Sequence, residues 1–442
     1  MNEALEYTFV REVIPSTIVK DTVFNIATRD VNSYTHGFHK YPAKFIPQIP
    51  RWAISKYLVG KRKCILDPFC GSGTTLVEGL LAGHNVIGLD IDPLSILISK
   101  VKTTRIQKDA LVIISNWVKH EINNEALIGD FRPACSTIGH WFTEDAIRKL
   151  AKIRTVIDRV PYEFGDAKHI SDIRNLLLIC FSSIIRRVSN ADDESQKTYV
   201  SHTKIKHPEE VYSLFFSQLD LYIDRAIKFS QEINPELEIS IYNASSIDGF
   251  QNRMEDQQID LVVTSPPYIK AIDYIYNQMV ELFWIGDLFD LQTQLLQNHK
   301  KRQYIGTKQI PKAEYSFYSP FESLLSISEL DKNLQQIFLH DKKNGHKHSY
   351  VVYKYFLELE KHLLEIAKIL KPGTHYIMVV GDSNVSNLFF NTSEFLEKIA
   401  GRSGFSLTNK WGYKIKNRFM RFDRKGRGGI IDIDWVLDFQ KE

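Results

Sequence analysis

Cysteine is scarce in this chain, and the few residues stand far apart. Cys64, Cys70, Cys135 and Cys180 are the four in 442 residues, with no CxxC pair among them. That spacing argues against both a disulfide framework and a zinc site. Net charge is nearly absent as well: 56 Lys+Arg against 53 Asp+Glu leave +3. So small an excess names no partner, and any polyanion contact must come from local patches. Long apolar runs are missing too. The longest uncharged stretch, Asn175–Ile185, is far short of the roughly 20 residues of a membrane span. The segment MNEALEYTFVREVIPS has early acids and no apolar h-region, so no signal peptide is expected. Internal repeats, low-complexity tracts and Gly/Ser linkers are also lacking. What remains is ordinary globular composition, 43% hydrophobic and 25% charged, with ample chain for a sizeable core. The expectation is a soluble cytoplasmic protein of two to three domains, at about 150 residues each.

Short apolar runs at 63–67 and 85–90 each end in an aspartate and alternate with helical patterns, as strands of a parallel α/β sheet do. Further runs follow at 237–242, 259–264 and 375–380, with a last pair near 405–415 and 430–439. The 375–380 run comes after YFLELEKHLLEIAKIL, a helical stretch ended by Pro372-Gly373. Between the second and third strands lie about 140 residues that read mostly as helices. AIRKLAKIRTVIDRV and DIRNLLLICFSSIIRRV both repeat apolar residues at i, i+3, i+4 and i+7. A second interruption, about 285–345, is rich in Gln, Lys, Tyr, Ser and His and shows no clear period. Either insertion is a packing elaboration or a recognition module.

The turn Asp67-Pro-Phe-Cys-Gly-Ser-Gly-Thr-Thr75 leaves the first of these strands and opens a helix, TLVEGLLAG. Gly71 and Gly73 allow close backbone approach to a ligand, as a nucleotide-like cofactor needs at the carboxyl end of a parallel sheet. The Lys-Ser/Thr step of a phosphate-gripping Walker loop is absent, and so is the dinucleotide GxGxxG. Asp90, about twenty residues on, is placed to accept hydrogen bonds from ribose hydroxyls.

DPFCGSGTT followed by GLDID resembles the S-adenosylmethionine-binding motifs of the DNA amino-methyltransferases, which make N4-methylcytosine or N6-methyladenine. His36-Gly-Phe-His-Lys-Tyr-Pro-Ala-Lys-Phe-Ile-Pro47 resembles the motif that precedes the Gly-rich strand in that family. The resemblance implies S-adenosylmethionine as cofactor, held by Asp67, Phe69, Gly71, Gly73, Thr74, Thr75 and Asp90. It puts Lys44 and Phe45 beside the methionine end and Asn243 at the adenine-contacting position. The family usually has Asp there, so Asn243 gives up charge assistance.

The run 259–264 leads into Ser265-Pro266-Pro267-Tyr268. Two successive prolines fix φ and remove two donors, which makes a rigid loop presenting carbonyl oxygens. The exocyclic amine of a nucleobase is a poor nucleophile, because its lone pair is delocalised into the ring. Two acceptors aimed at the amino hydrogens draw the nitrogen towards sp3 and expose that lone pair, a form of electrostatic preorganisation. By resemblance the acceptors are Ser265 Oγ and the Pro266 carbonyl, with Pro267 completing the turn and Tyr268 stacking on a flipped base. Ser at the first position usually accompanies cytosine N4 in this family, whereas Asp or Asn usually accompanies adenine. No Pro-Cys dipeptide occurs, which argues against covalent cytosine-C5 chemistry. The cofactor motifs precede this loop, whereas many members run in the permuted order. The resemblance covers about 36–100, 237–285 and 350–439.

Residues 411–428 hold seven Lys/Arg against Asp423, interleaved with Trp411, Tyr413, Phe419 and Phe422. Lys300, Lys301, Arg302 and Lys308 form a second patch with no acid in 291–308. Lys300, Lys301, Arg302, Arg418, Arg421 and Arg424 are therefore the expected phosphate contacts on duplex DNA. His340, His346 and His348 read as polar surface, and no metal site is expected.

The fold expected is α/β, a Rossmann-like S-adenosylmethionine-dependent methyltransferase core with a large helical insertion. Its parts are an N-terminal extension (1–35), a cofactor-binding part (36–104), the helical insertion and candidate recognition region (105–235), a catalytic part (236–284), a second insertion and candidate DNA-contact region (285–345), and a C-terminal part with the basic patch (346–442). The expected function is site-specific methylation of cytosine N4 in duplex DNA after base flipping, in restriction–modification or phage defence beside a cognate restriction or defence component. Three readings stand beside it: adenine N6, an RNA base, and a catalytically silent DNA-binding subunit.

Overall fold

The computed structural model describes residues 6–11, 13–42, 44–133, 135–193, 197–203, 205–248, 254, 258–269, 273–322, 325–416 and 432–442. Eleven strands are found: β1 (Glu6–Arg11), β2 (Val23–Ile26), β3 (Cys64–Asp67), β4 (Asn85–Asp90), β5 (Ile239–Asn243), β6 (Leu261–Thr264), β7 (His375–Gly381), β8 (Ser383–Val385), β9 (Leu388–Phe390), β10 (Phe405–Lys414) and β11 (Ile433–Lys441). Nine of them form one sheet in the order β1-β2-β10-β11-β7-β6-β3-β4-β5, and β8 and β9 form a separate hairpin.

β7, β6, β3, β4 and β5 are mutually parallel. All four residues of β3 and of β6 are buried, as the central strands of a sheet covered on both faces must be. β11 runs antiparallel to both β7 and β10. The last strand, β11, inserted antiparallel between β7 and β10, is the departure from an all-parallel dinucleotide-binding sheet, and the core is Rossmann-like. Strand order reverses between β3 and β6, and ligands of such sheets bind in the crevice beyond the carboxyl ends at that point.

β1 and β2 extend the sheet past β10, where Val23 pairs with Gly412 and Phe24 with Tyr413. The sequence reading treats 1–35 only as an extension, because β2 is four residues long and sits in no alternating run. The 285–345 stretch also holds a helix, Ser328–His340, that the sequence reading passes over. Leu330, Leu334 and Ile337 are its buried anchors, three apolar positions too sparse among polar neighbours to stand out.

Helices Lys108–Asn123, Glu144–Phe164, Lys168–Val188 and Val211–Glu232 lie between β4 and β5. Their apolar faces share one core with the helix Pro93–Thr103 and with Trp284. Arg154, 2% exposed, pairs with Asp158 and Asp287 and donates to the Trp284 carbonyl. Lys102, near the end of the helix Pro93–Thr103, is wholly buried, and among the described residues its side-chain nitrogen has no hydrogen-bond partner. No helix of the described residues is long and apolar enough to cross a membrane.

Candidate active site

The turn after β3 owes its shape to its glycines. Gly71 has φ +47° and Gly73 φ +79°, a region L residues rarely adopt. A Cβ on Gly71 would stand 3.0 Å from Tyr41 Cε1, and one on Gly73 3.0 Å from Ser99 Oγ. The helix Thr74–Leu81 starts immediately after. Asp90, at the end of β4, accepts from the Gly71 amide through Oδ2 (2.9 Å) and from the Asp92 amide through Oδ1 (2.8 Å). Burial, with Asp92 beside it, pushes its carboxyl up to about 7. Remaining lone pairs leave it able to accept from a ligand hydroxyl.

The segment preceding β3 is tied to this turn through Glu78. His36 Nε2 meets Glu78 Oε1 at 2.8 Å, and Arg51 Nε donates to Glu78 Oε2 at 2.9 Å. Lys44 Nζ donates to the His36 carbonyl at 3.0 Å, and burial lowers its ammonium to about 8. Asp67 and Thr75 act as struts from the turn to β6. Asp67 Oδ1 accepts from Thr264 Oγ1 at 2.6 Å, and Thr75 Oγ1 donates to the Val263 carbonyl at 3.2 Å. The Gly-rich turn and the Ser-Pro-Pro-Tyr loop are thus bolted side by side.

On that second loop, Ser265 Oγ donates to the Val379 carbonyl at 3.1 Å. With its hydrogen committed, the oxygen faces its surroundings as an acceptor. The Tyr268 hydroxyl donates to Asp434 Oδ1 at 2.7 Å.

A cleft of about 790 Å³, its open mouth included, joins these parts. Of the residues singled out from sequence, Lys44, Phe45, Phe69, Gly71, Thr74, Asp90, Ser265 and Pro267 line it. Asp67, Gly73, Thr75, Pro266 and Tyr268 support it from behind or beside and are not in its lining. Asn243 also falls outside: it is exposed, and its Nδ2 donates to the Asp90 carbonyl at 3.0 Å. Ala244 to Ile247, in the loop that leaves β5, take the wall there. Tyr41, Tyr274 and Tyr304 also line the cleft and were not singled out from sequence. Tyr41 lay unremarked inside the His36–Pro47 motif; Tyr274 and Tyr304 had no motif to mark them.

Lys301 Nζ stands 3.5 Å from Asp273 and over the Tyr276 ring, while Arg302 is exposed. Arg418, Arg421 and Arg424 lie outside the described residues. His346 meets the Tyr318 carbonyl and His348 meets Asp341. No group of three or more potential metal ligands is found among the described residues.

Sheet order, glycine turn and Pro-Pro loop define a Rossmann-like fold with a cleft suited to a nucleotide-like cofactor. Residues 15–100 match the DNA methylase family model. The chain is 26% identical over 408 residues to the Type II methyltransferase M.MvaI of Kocuria varians, covering 87% of this chain and 85% of that one. It is 22% identical over 413 residues to M.BsoBI of Geobacillus stearothermophilus, covering 85% and 79%. A shorter stretch of 84 residues is 42% identical to M.MjaII of Methanocaldococcus jannaschii, covering 19% and 16%. The chain is thus similar to the DNA methylases over residues 15–100 and to Type II methyltransferases over most of its length.

Proposed function

We propose that this protein is a DNA methyltransferase of the type II restriction–modification kind that transfers a methyl group to N4 of cytosine in duplex DNA. The observation that carries the reading is that Ser265 and Pro267 line the same cleft as Lys44, Phe45, Gly71 and Asp90. Acceptor loop and cofactor turn therefore face one volume.

S-adenosylmethionine, when bound, supplies an electrophilic methyl group. The residues present fit it: Gly71 gives backbone access, Asp90 offers acceptor capacity for ribose hydroxyls, and Lys44 and Phe45 wall the opposite end. Lys44 is a buried ammonium suited to a carboxylate. Ser265 Oγ, with its own hydrogen on Val379, accepts from one amino hydrogen of the target base. The Pro266 carbonyl accepts from the other. Together they hold the nitrogen lone pair towards the methyl group, and the proton displaced from the nitrogen leaves to solvent. Tyr268 presents its ring to a base swung out of the helix, its hydroxyl fixed on Asp434. A serine heading the loop supports cytosine over adenine.

Mass spectrometry of nucleosides from duplex DNA methylated by the purified protein tests the reading. N4-methylcytosine is expected. N6-methyladenine as sole product would overturn the base assignment, and methyl transfer to tRNA but not DNA would overturn the substrate.

A further inference from the structure

The second insertion, expected to face DNA, reaches into the cofactor cleft. Gln303, Tyr304 and Ile305 border it, directly after the helix Gln294–Lys301. Three aromatic rings run across this end. Tyr41 stacks on Tyr274 at 5.7 Å and 23°, and Tyr274 on Tyr304 at 5.7 Å and 15°. The inner ring is fixed by Ser95 Oγ, which donates to Tyr41 Oη at 2.8 Å, and packs against Gly71.

The outer ring is unfinished. Tyr304 is 9% exposed, and among the described residues its hydroxyl has no hydrogen-bond partner. Buried hydroxyls in native proteins are nearly always paired, so an orphan beside a cleft points to a missing ligand. Tyr304 stands in the field of Asp90 and Asp92, the end of the cleft where ribose is expected. Half-buried Lys300 feels the charge of the same two carboxylates. DNA is a poor candidate for a hydroxyl enclosed between a tyrosine ladder and Asp90.

We propose that Lys300–Ile305 is a cofactor-binding element in which the Tyr304 hydroxyl donates a hydrogen bond to the nucleoside half of S-adenosylmethionine. The inference rests on the proposed function for the identity of the ligand. It assigns part of the second insertion to the cofactor, leaving Arg302 as the exposed cation of that stretch.

Calorimetry on the full chain tests it with two probes, S-adenosylmethionine and 5′-methylthioadenosine, which lacks the amino-acid end. Tyr304→Phe keeps the ring and removes the donor. It should weaken both probes by the same factor, about threefold to tenfold. Tyr304→Ala, shown folded by circular dichroism, should weaken both by about tenfold or more. A Tyr304→Phe affinity within twofold of wild type for both probes overturns the inference while sparing the function. Loss confined to S-adenosylmethionine would overturn the nucleoside assignment. A wild-type protein that binds neither probe would overturn the proposed function and this inference together.

Discussion

The Gly71 wall of the cleft and the Ser265 wall are held in place over very different distances along the chain. On the first, the Gly71 amide reaches a carboxylate 19 residues away in Asp90. Asp90 is fixed in turn by the amide of Asp92, two residues on. On the second wall, Ser265 is fixed by a carbonyl 114 residues away and Tyr268 by a carboxylate 166 residues away. Both of those partners lie on β7 and β11, which join the site only once the whole sheet is assembled. At Gly71 and Asp90 the cofactor wall is thus held by local contacts, with Asp67 and Thr75 bracing it to β6, whereas Ser265 and Tyr268 depend on partners that topology brings to them. Damage to the first should fall on cofactor affinity, and damage to the second on turnover.

Gly71→Val gives the largest effect expected on this contrast. A branched side chain at φ +47° and 3.0 Å from Tyr41 distorts the turn, so S-adenosylmethionine binding by calorimetry should drop by about a hundredfold or more, the scale of a 3 kcal/mol backbone penalty. Affinity near wild type would show that the turn is not the cofactor wall. Ser265→Ala comes next: turnover should fall by about one to two orders of magnitude with cofactor affinity unchanged. A matching loss of cofactor affinity would erase the distinction between the walls.

A pH series sharpens the contrast. Asp90 titrates near 7 because burial disfavours its charge, and the ionised form is the better acceptor for ribose hydroxyls. Between pH 6 and 8 the ionised fraction rises about tenfold, so affinity should improve with rising pH by up to about that factor. Asp90→Asn should flatten the profile; a slope that persists in this variant would assign it elsewhere. Tyr268→Phe has the smallest expected effect, since the stacking ring survives. Turnover should fall about threefold to tenfold as the ring loses its tether to Asp434, and unchanged turnover would make that tether ornamental to catalysis.

The same contrast explains what the sequence made legible. β3, its glycine turn and β4 carry their signals within thirty residues, so the positions of Gly71 and Asp90 could be read directly. Ser265 and Pro267 were legible as a motif and indeed border the cleft. Val379 and Asp434, the partners of Ser265 and Tyr268, were not, because no local pattern says which strands become neighbours. Asn243 shows the limit of motif transfer: the position matches, but its amide is engaged by the Asp90 carbonyl and stands outside the cleft lining. Tyr304 was hidden in a stretch without period, where only the folded ladder of rings marks it.

Lys102 makes the native protein a weaker base than its own unfolded chain. Wholly buried and without a hydrogen-bond partner among the described residues, its amine is driven by burial far below the usual lysine range, with Lys44 adding to the effect. Between the depressed native value and the ordinary lysine range, the unfolded chain keeps a proton there that the folded chain sheds, so folding in that window expels a proton. Stability must then climb with pH from the depressed native value up to the unfolded one, near 10.4. Replacing Lys102 with the similarly sized, unchargeable methionine removes this step. Lys102→Met should melt at a higher temperature at pH 7 and lose part of the alkaline rise that the wild type shows.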